Sequence, residues 1–193
     1  MEATSYTGIV PHGKTSTTTI QPIQLDGATY ALMTIDYAHH EIHSGSHYFF
    51  QASHELGSAG TIVYLITTPN TDKYAHFVYT ADGSAITQVD LYEGADRTGT
   101  TAQTILNSNR NSANTSGLTI HVGISSGTTD GTLIKTYKGG AASAQSRTAP
   151  TTRGDSELVL KRNTKYLFRI TSSTAANLCN LKFEWYEHTD KTA

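Results

Sequence analysis

From about Tyr48 onward, apolar residues come in short, strand-length runs separated by polar and turn-forming residues. The runs are HYFFQASHEL, GTIVYLITTP, YAHFVYTA, AITQVDLYEG, GLTIHVGI, GTLIKTYK, ELVLKRNTKYLFRIT and NLKFEWYEH, which predict eight or more strands. Alternation is cleanest in two of them. Leu118, Ile120, Val122 and Ile124 should share one face while Thr119, His121 and Ser125 point away, as in a sheet wet on one side. Near the C-terminus Leu181, Phe183 and Trp185 should face the core, with Trp185 as its anchor, and Lys182, Glu184 and Tyr186 should face outward. Asp82-Gly83 and Asp130-Gly131 sit beside such runs and predict tight antiparallel hairpins, because Asp-Gly readily supplies positive φ. Many short strands without alternating helices predict an all-β fold: an antiparallel two-sheet sandwich, jelly-roll-like, with an extended N-terminal arm. One segment departs from this pattern. Ala28 to Ser44 lacks Gly and Pro, and Leu32, Ile35, His39 and Ile42 fall at helical spacing, so a short helix is expected there.

Residues 1–27 read as the arm and residues 28–193 as the sandwich domain. Pro11, Pro22, Gly8, Gly13 and the run Thr15 to Thr19 favour extended backbone that packs poorly on itself. Such a segment needs a partner surface, and its apolar residues Ile9, Val10, Ile20 and Ile23 are the candidate partner-binding positions. The length, 193 residues, suits one domain plus an arm. Fourteen Lys and Arg against sixteen Asp and Glu give a net charge of −2, which lacks the cationic excess of nucleic-acid or anionic-membrane binding. No apolar run approaches the ~20 residues of a membrane span. The first residues, MEATSYTGIVPHGK, lack the basic-then-apolar pattern of a cleaved leader, so synthesis in a cytoplasm without cleavage is expected. The single cysteine, Cys179, excludes an intramolecular disulfide and a Cys-based zinc site.

Candidate chemistry changes this picture little. Gly8 to Thr15 matches the phosphate-loop pattern G-x-x-x-x-G-K-[ST], but that chemistry needs a strand before it and a helix after it. A Thr-rich stretch with Pro22 follows, so the match is read as chance. Gly123-Ile124-Ser125-Ser126-Gly127 fits the G-x-S-x-G nucleophile elbow, yet a polar turn follows it in place of a helix. His39, His40, His43 and His47 crowd into nine residues, and imidazole is a common metal ligand. His39, His43 and His47 are the candidate ligands. The pattern misses H-E-x-x-H by one residue, so the favoured reading is a polar edge whose histidines hydrogen-bond at a subunit contact, with no metal. Asp90, Glu93, Glu184 and Glu187 are the candidate carboxylates, but alternation splits each local pair between two faces, and they are read as solvated charges. No cofactor and no catalytic residue is expected.

Several ordered landmarks carry a further signal: Ala38 to Gly45, Thr67 to Thr71, Tyr74-Ala75-His76, Leu91 to Ala95, Asn109-Arg110-Asn111, Ser146-Arg147 through Arg153-Gly154, Leu160 to Tyr166 and Trp185 to Thr189. Together they resemble a widespread family of tailed-phage virion structural proteins, over about Tyr37 to Thr189. That resemblance implies a non-enzymatic capsid decoration, or cement, protein on the outer surface of the phage head. It implies the major capsid protein and copies of itself as partners, in a homotrimer or alternatively a dimer. An arm suits this role because it adds contact area without a large rigid interface. The competing expectation is a tail or fibre module that binds host-surface glycans through exposed aromatics such as Tyr137 or Tyr186.

Overall fold

The computed structural model describes residues 37–57, 60–125, 127–140 and 156–189. By backbone contacts the chain divides after Tyr37, and the sandwich belongs to the unit Ala38–Ala193. Among the described residues one helix, α1 (Tyr37–Ser44), leads into the sheets, in agreement with the helical spacing read there. Residues 28–36 lie outside the described residues, as do the proposed arm, the phosphate-loop match and Ile9, Val10, Ile20 and Ile23. The strands are β1 (His47–Leu56), β2 (Thr61–Thr67), β3 (Lys73–Gly83), β4 (Thr87–Glu93), β5 (Gly99–Ala102), β6 (Leu106–Asn107), β7 (Thr119–Ile124), β8 (Thr132–Gly139), β9 (Leu158–Leu160), β10 (Lys165–Ser172) and β11 (Asn177–Thr189).

Two antiparallel sheets pack face to face, with strand orders β6-β1-β11-β3-β9 and β5-β7-β2-β10-β4-β8. Without β5, β6 and β7, each sheet has four strands. The chain then crosses between sheets at every step from β1 to β4 and again from β8 to β11, while β4 and β8 pair directly. That is the double Greek key of a jelly roll. The insertion between β4 and β8 travels to the far side of both sheets, where β7 pairs with β2, β5 with β7, and β6 with β1.

The core is aromatic. Phe183 is fully buried at its centre, 4.8 Å from Phe168, 5.3 Å from Phe77, and 5.9 Å from both Phe50 and Tyr64, ring centre to ring centre. Trp185, also fully buried, tilts against Tyr48 and Phe77, so the anchor expected from alternation is present. The edge-to-face pairs of Phe183 with Phe168 and with Tyr64 add about 0.5–1.5 kcal/mol each beyond the area they bury. Burial pushes the Tyr64 phenol up to about 12, and its hydroxyl meets His54 Nε2 at 2.5 Å.

A second, smaller cluster lies on the outer face of the six-stranded sheet, where Leu65, Leu167 and Ala95 are buried with Val63, Tyr92 and Ile124 against them. The two arms of the insertion hold together there through the Asp96–Thr129 bridge. Ile124 therefore does not share the core face with Leu118 and Ile120. The cause is Gly123, whose φ of +66° breaks the two-residue alternation just before Ile124.

Neither Asp-Gly pair forms a hairpin. Gly83 ends β3, from which the chain crosses to the other sheet, and Gly131 precedes β8, whose neighbour is β4 and not β7. Gly131 does have the positive φ expected of Asp-Gly, +94°, but it serves the return of the insertion.

Candidate functional site

The outer face of the five-stranded sheet is organised in rungs. Ser53, Asn180 and Asp82 stand side by side on β1, β11 and β3, and Gln51, Lys182 and Thr80 form the next rung. Ser53 Oγ donates to Asn180 Oδ1 at 2.8 Å, and Asn180 Nδ2 donates to Asp82 Oδ1 at 2.7 Å. These six side chains line an open groove of about 460 Å³. Its donors and acceptors are fixed by strand pairing, the arrangement that polar ligands require.

Farther along the same face, Tyr186 and His76 are direct cross-strand partners and their rings stack at 4.5 Å. Glu157, just before β9, accepts from both: Tyr186 Oη at 2.9 Å and His76 Nδ1 at 2.7 Å. His188 completes the group, with its Nε2 2.7 Å from His76 Nε2.

At the end of β11 the chain buries a carboxylate. Glu187 accepts from Trp185 Nε1 at 3.0 Å, Ser116 Oγ at 2.5 Å, Gly117 N at 3.0 Å and Leu118 N at 3.3 Å. It ties the entry to β7 onto β11, a positioning role with no solvent access to speak of. Glu93 accepts from Lys161 Nζ and Tyr166 Oη. The Lys161 hydrogen bond, ahead of the opposing effect of burial, holds the Glu93 carboxyl below its ordinary range. Thr68 Oγ1 donates to the Lys161 and Thr164 carbonyls, and Arg162 reaches the Thr71 carbonyl. Four of the sequence landmarks, Thr67–Thr71, Leu91–Ala95, Leu160–Tyr166 and Trp185–Thr189, thus supply the turns and latches of the sandwich. The pieces from Ser146 through Gly154 lie outside the described residues.

On the opposite outer face Asp130 receives Arg97 at 2.6 Å and also pairs with Arg169, which in turn reaches Tyr92 Oη at 3.1 Å. Burial alone would raise the Asp130 carboxyl, but hydrogen bonds from Arg169 and Arg97 outweigh it and hold the group below its ordinary range. Asp90, expected as a solvated charge, is buried and accepts from Gln88 Nε2 and Thr136 Oγ1. Glu187 overturns the same expectation, whereas Glu184 stays on the outer face beside Lys182 at 2.9 Å.

The histidine-rich segment separates. His39 and His43 share a face of α1, with Nε2 atoms 3.0 Å apart, while His47 opens β1 and meets Ser108 Oγ at 2.7 Å. Among the described residues no three His, Cys, Asp or Glu side chains gather in a way that holds a metal ion. Ser125, at the elbow-like match, directly follows β7 with its hydroxyl donated to the Thr98 carbonyl, and the described chain beyond it continues into β8. Of the two aromatics expected to meet glycans, Tyr137 is 48% exposed, but Tyr186 is 7% exposed and lies under His76.

The sheet edges differ. Among the described residues three outermost strands are short: β5 has 4 residues, β6 has 2 and β9 has 3. The fourth, β8, has 8, and Leu133, Ile134 and Tyr137 on it are exposed. Short edges are a standard protection against unwanted pairing. Beyond a register shift opposite Leu91 and Tyr92, β8 runs regularly from Lys135 to Gly139 against β4. Sequence reasoning found β8 as a strand but missed that it is an edge, which depends on strand order alone.

No protein-family model, no curated protein and no solved structure matches this chain.

Proposed function

We propose that the protein is a non-enzymatic structural component of a tailed-phage particle, decorating the capsid shell and stabilising it through many weak contacts. The observation that carries this reading is the β8 edge: a long outer strand with exposed Leu133, Ile134 and Tyr137, in a molecule whose other described edges are short. An edge of that kind suits pairing with a second copy, in a homotrimer or a dimer. Jelly rolls are a recurrent architecture of viral capsid domains, and of lectin domains as well, so the fold is compatible with the role without dictating it. The motif resemblance implies the major capsid protein as the other partner, and the extended reading of residues 1–27 makes them the attachment strap. Repetition over a shell then makes individually weak contacts tight.

The test is reconstitution. Full-length protein mixed with assembled shells that lack it should co-sediment at saturating stoichiometry and raise the temperature of shell rupture. Protein without residues 1–27 should keep its folded circular dichroism and lose shell binding. Failure of the full-length chain to bind shells sinks the proposal, and wild-type occupancy by the truncated chain sinks the role of the arm.

A second reading is a glycan-binding module; the exposed Tyr137 and the polar groove lined by Gln51, Ser53, Thr80, Asp82, Asn180 and Lys182 support it, whereas the buried Tyr186 does not. Glycan-array binding that disappears in Asn180→Ala would support it over shell decoration.

A further inference from the structure

The groove on the outer face of the five-stranded sheet is lined by side chains whose hydrogen-bonding capacity is only partly used. Ser53 donates to Asn180 and Asn180 to Asp82 Oδ1, which leaves Asp82 Oδ2 without a hydrogen bond among the described residues. Asn180 keeps a second N–H and a second carbonyl lone pair. On the next rung the Gln51 amide and the Thr80 hydroxyl make no side-chain hydrogen bond to any described residue. Lys182 Nζ commits one of its donors to Glu184, at 2.9 Å. Strand pairing sets the spacing: neighbours within a rung stand about 5 Å apart and the two rungs ~7 Å apart, a patch of about 10 Å by 7 Å.

Resting on the glycan-binding reading of this face, we infer that the groove takes a neutral sugar, held through a vicinal diol by Asn180 and Asp82. The arrangement selects by bonding type. Acceptors at Asp82 and Asn180 sit among donors from Lys182, Gln51 and Asn180, and the charges of Asp82 and Lys182 offset each other. A phosphate or sulfate offers acceptors alone and meets the Asp82 carboxylate. An ammonium group offers donors alone and meets Lys182. A hydroxyl does both, and two on adjacent carbons reach two neighbouring positions of the rung at once, each giving a proton to one side chain and accepting one from the next. Leu178, 55% exposed, precedes Asn180 by two residues on β11 and so stands on the same face. It sets an apolar surface beside the polar rung, suited to the C–H face of a sugar ring. Ser53, Asn180 and Asp82 also hold one another in place before a ligand arrives, which lowers the ordering cost of binding.

The test is affinity electrophoresis of tag-free full-length protein in native gels that contain soluble mannan, galactomannan or dextran, with dextran sulfate as the anionic comparison. A neutral polysaccharide should retard the protein. Periodate oxidation of that polysaccharide followed by borohydride reduction, which cleaves vicinal diols, should abolish the retardation. Asn180→Ala and Asp82→Ala should each weaken binding about 10-fold. Gln51→Ala removes no side-chain hydrogen bond to the described residues, so it should weaken binding in a protein that folds normally, whatever the other two variants do. Retardation kept in all three variants overturns the groove as the site, and its loss in Tyr137→Ala would leave the glycan reading standing there. Retardation that survives periodate, or that dextran sulfate produces more strongly, overturns the diol as the recognised group. Retardation by none of the neutral polysaccharides overturns the inference and the glycan reading together.

Discussion

Glu187 shows how much one side chain does for this molecule. Its carboxylate gathers two backbone amides, a serine hydroxyl and the indole N–H of Trp185, all from a buried position. Removing it takes the acceptor from Gly117 N and leaves Leu118 N and Trp185 Nε1 with Ser116 Oγ in its place, and hydrogen bonds to a charged group contribute about 1.5–3 kcal/mol each. Glu187→Ala should therefore destabilise the fold by ~3 kcal/mol or more, read as a lower denaturant midpoint at unchanged slope. Ala176 gives the opposite sign. Its φ of +52° places an L side chain in the left-handed region just before β11. Glycine accepts that backbone without the steric cost of about 1–2 kcal/mol, so Ala176→Gly should raise stability by roughly 0.5–1 kcal/mol after its greater unfolded-state freedom is counted. Asp130 and Glu93 set the acid response. Both carboxyls titrate below their ordinary values in the folded chain, so their stabilisation is complete above the unfolded values of ~3.9 and ~4.3. It is lost as pH falls through the depressed folded values. Asp130→Asn should lower stability at neutral pH and flatten its decline below pH ~4, measured by urea titrations across that window. Little of this was readable along the chain. Alternation correctly placed Glu184 and Glu187 on opposite faces, but the partners of Glu187 come from residues 116–118, and no local pattern announces a contact across that distance.

At the scale of elements, the runs rich in aromatic and β-branched residues were legible because strand burial has a period of two. β5 and β6 were not: they are four and two residues long, and Gly99–Ala102 is polar, so no period can develop. The Asp-Gly signals failed for a related reason. A hairpin reading assumes that consecutive strands pair, whereas a jelly roll sends the chain to the other sheet at nearly every step. The histidine segment was legible as a helix but is not one site, since His47 falls into β1 and turns to Ser108. β7 carries its own prediction. At Gly123 the positive φ diverts Ile124 to the cluster around Leu65 and Leu167. Gly123→Ala should cost about 1–2 kcal/mol and loosen the insertion, seen as faster amide exchange across residues 119–124 than in β10.

For the whole molecule the consequences concern assembly. The double Greek key puts its longest described edge, β8, at one side and fills the other side with β5, β6 and β7. Lysine is a common guard on exposed edges, so Ile134→Lys together with Tyr137→Lys should leave the melting temperature within a few degrees and shift the mass towards one copy. Mass photometry or analytical ultracentrifugation reads this directly, and an unchanged mass overturns pairing through β8. The geometry of the edge also constrains how many copies can meet. If β8 joins β8, the contact is two-fold, both partners use the same strand, and neither retains an equivalent one to offer a third. Growth along the sheet then halts at two, which protects the chain from forming fibres through that edge. A ring of three has to obey a different rule, with β8 of each copy meeting some other surface of the next, so counting subunits also tells which surface β8 touches.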